Sequence, residues 1–179
     1  MELCQRLHDL FVEKAARSRI AWLSVGLGYT AVTTEDGGIG LSYTYFESKP
    51  SCGLSRDYVD WEGRPADGLL SYLTGSETIH RSMALALVNA LNFRFASELP
   101  EDADNRILLD ALGIQEGTRV AMVGYIKPLA KRCEILGAKL VVLDAARRIG
   151  RPADFYRQLK GEAEVLILTS TSILNHTAE

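Results

Sequence analysis

Arg119-Val120-Ala121-Met122-Val123-Gly124-Tyr125-Ile126-Lys127-Pro128, followed by the helical spacing of 128–136 and by Lys139-Leu140-Val141-Val142-Leu143-Asp144, is the stretch that decides the fold. Beyond their opening residues Arg119 and Lys139, the runs 119–123 and 139–143 are continuous and apolar at strand length, the pattern of strands buried on both faces. A helix between two such strands makes a β-α-β unit, which needs a parallel sheet. The pattern repeats once more, with a helix at 153–159 and a strand at 163–169. The second half therefore reads as a Rossmann-like parallel unit of three strands. A doubly wound sheet ordinarily has five or six, so the unit is expected to be incomplete at Glu179. Its open edge is expected to be dealt with by another chain or by a natural shortening, because unpaired apolar edges invite association.

Working toward the N-terminus, the acidic, turn-prone Pro100-Glu101-Asp102-Ala103-Asp104-Asn105 marks a domain boundary, giving domains 1–99 and 100–179, with a short helix at 106–112 after the break. Leu3, Leu7, Leu10, Phe11 and Ala15 recur at helical spacing, so 3–17 is an amphipathic helix expected to pack on a sheet. Strands 20–26, 29–34 and 39–46, the last two joined through Glu35-Asp36-Gly37-Gly38, form a meander or hairpin. Residues 47–65 read as a long loop, of the kind that is usually functional or mobile. Helices follow at 66–73 and 77–95, with Ser76 as a plausible N-cap of the longer one. The whole is an α/β protein: an α+β domain, then the parallel unit.

Composition bounds the class. Lys plus Arg is 20 and Asp plus Glu is 23, a net charge of −3, so neither a nucleic acid nor an anionic membrane is expected as a partner. At 47% hydrophobic and 24% charged, the chain has the makings of a folded core. No apolar run reaches the roughly 20 residues of a membrane span, and the N-terminus lacks a secretory pattern. Three widely spaced cysteines, Cys4, Cys52 and Cys133, argue against a disulfide framework and for a cytoplasmic protein.

Ligands of parallel α/β units bind at the carboxyl ends of the strands. That rule selects Gly124 and Tyr125, with Lys127 able to meet an anion; Asp144; and the hydroxyl run Thr169-Ser170-Thr171-Ser172, with Asn175 and His176 beyond it. Each has a structural alternative: a plain strand-to-helix turn at Gly124, a surface aspartate paired with Arg147, Arg148 or Arg151 at Asp144, and helix capping in the hydroxyl run. Asn89 and Asn92 interrupt an apolar helix and either brace it or face a cavity. Cys4 and Cys133 read as apolar fillers, and His8 and His80 as surface or satisfied residues. There is no CxxC, HExxH, HxxxH or GxSxG, and no nucleophile has an identifiable partner in sequence. The remaining metal candidates are Cys52, Asp144 and His176.

Both halves resemble a family named for heavy-metal chelation, in which an enolase N-terminal-like domain precedes a Rossmann-like domain. The resemblance rests on Val25-Gly26-Leu27-Gly28-Tyr29-Thr30-Ala31-Val32, Gly38-Ile39-Gly40-Leu41-Ser42-Tyr43-Thr44 and 84–91, and on Val120-Ala121-Met122-Val123-Gly124-Tyr125 and 168–177. Ser170 and His176 stand where the family's Thr-Gly-Thr-Thr-Leu-Val-Asn-Gly-Thr element has glycines. The resemblance implies a small anionic or metal-coordinating ligand, with a divalent heavy metal as cofactor, in a cleft between the domains lined by Gly124, Tyr125, Asp144, Ser170, Thr171, Asn175 and Asn89. Two other readings stay open: an enzyme acting on a nucleotide-like or cofactor-derived substrate, and a non-catalytic subunit that forms a homo-oligomer.

Overall fold

The computed structural model describes residues 3–46, 59–175 and 177–178. Cys52 and His176, two of the three metal candidates, lie outside the described residues. The chain forms two compact units, Met1–Leu99 with Ile173–Glu179, and Pro100–Ser172. The structure is a mixed α/β one, with an antiparallel sheet in the first unit and a parallel three-strand sheet in the second.

The first unit opens with α1 (Leu3–Arg17), β1 (Ile20–Val25), β2 (Tyr29–Thr34) and β3 (Ile39–Tyr43). The strands pair antiparallel in the order β1-β2-β3, Ala31 opposite both Ser24 and Leu41. β3 stops at Tyr43, short of the expected 46, because the backbone there finds other partners. The Thr44 N–H donates to the Gly28 carbonyl, and the Tyr45 N–H to the Ser82 hydroxyl at 3.1 Å. After α2 (Ala66–Leu70) comes a 3₁₀ turn over Ser71–Thr74, so the expected helix 66–73 tightens in its second half.

α3 (Thr78–Leu91) is the axis of this unit, with eleven of its fourteen residues buried, as in a helix packed on all sides. One side lies on β2 and β3. The other is covered by α1, α2 and the 3₁₀ turn. α1 was expected on a sheet and instead joins this helical layer: α3 already occupies the sheet face, and Leu7 and Phe11 pack into the core over it. The Lys14 ammonium donates to the Leu91 carbonyl, capping the last turn of α3. The expected helix 77–95 breaks at Asn92 (φ −92°, ψ 0°), and α4 (Phe93–Ser97) continues beyond it. Glu77, not Ser76, is the N-cap, and it makes no side-chain capping bond. The Ser76 carbonyl instead accepts from Arg81.

Arg81 is 2% exposed, and carbonyls satisfy it: Nε donates to Leu174 at 2.8 Å, and Nη1 to Gly75 at 2.7 Å and Ser76 at 3.0 Å. A guanidinium taken out of water needs such acceptors. Together with the fully buried Leu174 and the Cys4 thiol on the Ile173 carbonyl, it holds residues 173–175 in the first unit.

The second unit comprises α5 (Arg106–Ala111), β4 (Arg119–Val123), α6 (Lys127–Ile135), β5 (Lys139–Leu143), α7 (Pro152–Gly161), β6 (Val165–Leu168) and α8 (Thr171–Leu174), the last of which runs on into the first unit's terminal segment. The strand order is β5-β4-β6, all parallel. Val120, Ala121 and Met122 of the central strand are fully buried, which is why its sequence shows no alternation. Val120, Met122 and Ile167 pack with Leu109, Leu129, Ala130 and Cys133 in the main core, and Phe155 is buried on α7.

The tightest point of the first unit is Gly40. A Cβ there would lie 2.1 Å from the Ala86 carbonyl oxygen and 2.2 Å from the Ala90 nitrogen, both backbone atoms of α3. Gly40→Ala is therefore expected to force α3 off the sheet and cost at least about 2 kcal/mol. Gly28→Ala, where an added Cβ meets nothing within 4 Å, is expected to stay within about 0.5 kcal/mol of wild type. Urea denaturation midpoints of the two variants check this; equal midpoints would refute the close approach.

Candidate functional site

The carboxyl ends of the parallel strands are built around one carboxylate. Asp144 follows β5 and is 6% exposed, not the surface aspartate that one sequence reading allowed. Its Oδ2 accepts from the Tyr125 N–H at 2.9 Å and from Arg147 Nη1 at 2.7 Å, and its Oδ1 from the Arg147 N–H at 2.9 Å. The loop after β4 is thereby tied to the loop after β5. The Tyr125 N–H is the main reason the Asp144 carboxyl is held below its ordinary range. Burial opposes that shift, and the Arg147 N–H and guanidinium add to it. Backbone bonds of Asp144 with Ile149 close the β5 loop on itself.

Gly124 lies beside this clasp with φ +79°, in the left-handed region that favours glycine. A Cβ there would also meet Thr169 Cγ2 at 2.7 Å, so the end of β4 presses directly on the end of β6. The Thr171 hydroxyl donates to the Thr169 hydroxyl at 3.3 Å, and Ser170 is exposed. Gly124, Tyr125, Asp144, Ser170 and Thr171 thus belong to the loops at one end of one sheet. Asn89 and Asn175 are in the first unit. Asn89 Nδ2 donates to the Leu41 carbonyl at 2.7 Å, bracing α3 to β3. Asn175 Oδ1 accepts from the Thr177 hydroxyl and N–H in a local turn.

The sequence named Arg147 only as one of three arginines able to pair with Asp144, and Thr169 only as a member of the hydroxyl run; the structure makes the first the lock on Asp144 and the second the wall against Gly124. The i, i+3 spacing of Asp144 and Arg147 was the available signal for the first. A cavity of about 410 Å³ opens at the opposite end of the sheet, lined by Arg119, Val120, Lys139, Leu140, Val141, Gln158, Glu162 and Ala163. Its arginine is occupied by the Glu162 carbonyl and the Glu164 carboxylate.

Among the described residues no three His, Cys, Asp or Glu side chains gather as a metal-binding group. Cys4 and Cys133 are buried, burial pushes the Cys133 thiol up, and both Asp144 oxygens are taken. These residues do not fit a heavy-metal centre. Among them, too, no helix is long and apolar enough to cross a membrane.

Fold and strand ends together define a two-unit α/β protein whose parallel sheet presents a locked loop edge. Two family models match the chain, DUF4213 over residues 8–92 and DUF364 over residues 107–179, and both carry the description "Putative heavy-metal chelation". No curated protein matches it. Among solved structures, the chain is similar to a protein of unknown function from the DUF364 family of Desulfitobacterium hafniense (TM-score 0.70, 16% identity, 97% of this chain and 71% of that one). It is also similar to one from the same family in Pyrococcus horikoshii (TM-score 0.68, 19% identity, 98% and 71%). At these identities the likeness is one of fold.

The Asp144 clasp has a pH signature. Its folded-state value lies below the ordinary 3.8, so its stabilisation is complete above 3.8 and is lost as pH falls through the lowered folded value. Asp144→Asn is expected to cost about 2 kcal/mol at neutral pH, the worth of hydrogen bonds to a charged group. The gap between variant and wild type should narrow only in acid. Urea titrations of both proteins from neutral to acidic pH test this, and a gap that does not depend on pH would refute it.

Proposed function

We propose that the protein binds a small anionic ligand at the carboxyl edge of its parallel sheet. The reading rests on the sign of the charge there. Lys127 follows β4, and Arg147, Arg148 and Arg151 follow β5, all of them exposed, while the acid among them, Asp144, is consumed by the loop clasp. A guanidinium has five donors, and Asp144 takes one from the side chain of Arg147. The exposed Ser170 hydroxyl follows β6 and completes the donor set, beside Thr171, whose own hydroxyl is turned to Thr169. This treats the unit as part of a Rossmann-like sheet, where ligands lie at the strand ends, and the first unit as an enolase N-terminal-like domain. Asp144 acts here as the positioning residue that fixes the loops, not as a ligand.

Heavy-metal chelation, the activity named in the family description, is not what the described residues support: the edge offers cations and neutral hydroxyls where a metal needs free carboxylate, thiolate or imidazole. No reaction follows from the groups present, so the proposed activity is binding.

The test uses inorganic phosphate and pyrophosphate as probes, read by thermal shift and calorimetry. Wild type is expected to be stabilised in a concentration-dependent way, and Lys127→Ala/Arg148→Ala to bind at least about tenfold more weakly, about 1.4 kcal/mol. No shift in wild type with either anion at about 10 mM, tenfold above the roughly 1 mM Kd that a weak binding energy allows, would overturn the reading. So would a stoichiometric transition metal found by elemental analysis of protein purified without chelator.

A further inference from the structure

The outward face of the β1-β2-β3 sheet is a three-by-three grid. Register places Trp22, Thr33 and Ile39 in one row, and Ser24, Ala31 and Leu41 in the next. Tyr29 pairs with Tyr43 in the third, beside Gly26, whose N–H donates to the Tyr29 carbonyl. The opposite face, with Thr30, Val32 and Ser42 buried, lies toward α3. None of the nine outward residues is charged. The large ones stay in solvent: Tyr29 is 67% exposed, Leu41 56% and Ile39 53%, with Trp22 and Tyr43 close to half. A monomer rarely leaves so contiguous an apolar and aromatic face open, and Tyr and Trp are the residues enriched in interface cores.

We infer that this face joins two copies of the chain, sheet to sheet about a two-fold axis. Three features on the page select a second copy as the occupant. The face has a ridge and a trough. Ile39, Leu41 and Tyr43 line up along β3, while Ser24, Ala31 and Thr33 leave a shallow strip beside it. A copy turned by a two-fold axis sets its ridge into the other's trough, and the same contact is made twice, as an isologous interface requires. The absence of charge means that like patches meet without repulsion, whereas an acidic or basic partner would find nothing to pair with. The five large side chains and their small neighbours expose roughly 600 Å² per copy, hence about 1,200 Å² in a pair, which reaches the range of specific interfaces. Packed sheets about 10 Å apart would interdigitate these side chains as in a β-sandwich. The T-shaped contact of Tyr29 with Tyr43, ring centroids 6.3 Å apart, already holds one end of the ridge in shape.

Sedimentation velocity of the full chain tests this. At concentrations on the order of 100 μM, where even a weak specific dimer forms, the wild-type mass is expected at twice 19.7 kDa. Leu41→Glu and Ile39→Lys each place a charge on the ridge and are expected to weaken the dimer at least about 100-fold. Leu27→Glu, in the β1-β2 turn outside the grid and 92% exposed, should leave it intact. Far-UV circular dichroism and melting of each variant confirm that the monomer is folded, and the two ridge positions are independent, so one misfolded variant does not decide the result. A wild-type chain that stays at 19.7 kDa at the highest concentration overturns the proposal. A dimer that survives both ridge charges also overturns it, since the contact then lies elsewhere. Binding of an unrelated chain to a monomeric wild type would likewise replace the second copy as the occupant.

Discussion

Everything in the first unit follows from how close α3 comes to the sheet. At Gly40 there is no room for even a methyl group between strand and helix backbone. That distance lets Ala86 and Ala90 face the sheet directly and brings the Asn89 amide onto the Leu41 carbonyl. It also lets the Ser82 hydroxyl take the Tyr45 N–H where β3 ends. With one side of α3 used by the sheet, its other sides must be covered by α1, α2 and the 3₁₀ turn. Burying its leucines is worth about 1.5–3 kcal/mol each, whereas the polar groups carried inside, above all Arg81, stabilise only because carbonyls meet them.

The periodic parts of this arrangement were legible in the sequence. Continuous apolar runs at 119–123 and 139–143 implied the parallel pairing, and the alternation around the Asp36-Gly37 turn implied the antiparallel one. What could not be read is what tertiary contacts decide. The end of β3 depends on a hydroxyl on a helix nearly forty residues later. The place of α1 depends on α3 having taken the sheet face first. The break at Asn92 lies inside an apolar pattern that runs on past it. In the candidate site, the strand-end rule selected Gly124, Tyr125 and Asp144, and these are neighbours in space. Their roles were hidden, because a buried aspartate and an exposed one have the same letter, and only the Tyr125 and Arg147 bonds tell them apart.

The two units solve the same problem of covering a small sheet in different ways. The parallel sheet has helices packed on it, and its central strand is dry on both faces. The antiparallel sheet has α3 on one face only, and its other face carries tyrosines, leucine, isoleucine and tryptophan where a solvent-facing sheet ordinarily alternates to polar residues. The inner residues Thr30, Ser42 and Thr44 are polar and buried, with Thr30 and Thr44 hydrogen-bonded to each other at 2.9 Å. The usual inside-outside preference is thus weakened on both faces, and hydrophobic burial against α3 alone does not explain the outer one.

The clasp at Asp144 bears on what the strand ends can hold. A buried carboxylate whose oxygens already accept two backbone N–H groups and a guanidinium has three of its about four acceptor positions filled, and a metal ion that displaced those donors would untie two loops at once. The same bonds that occupy Asp144 hold Arg147 beside it, while Lys127, Arg148 and Arg151 stand exposed. A divalent cation approaching that edge would be repelled by the excess of positive charge, and a phosphate or carboxylate would be attracted by it at low dielectric cost, since these side chains stay hydrated until the ligand arrives. The clasp therefore does two things with one acid: it fixes the loops in place, and by pairing its charge with Arg147 it leaves Lys127, Arg148 and Arg151 to set the sign of the edge.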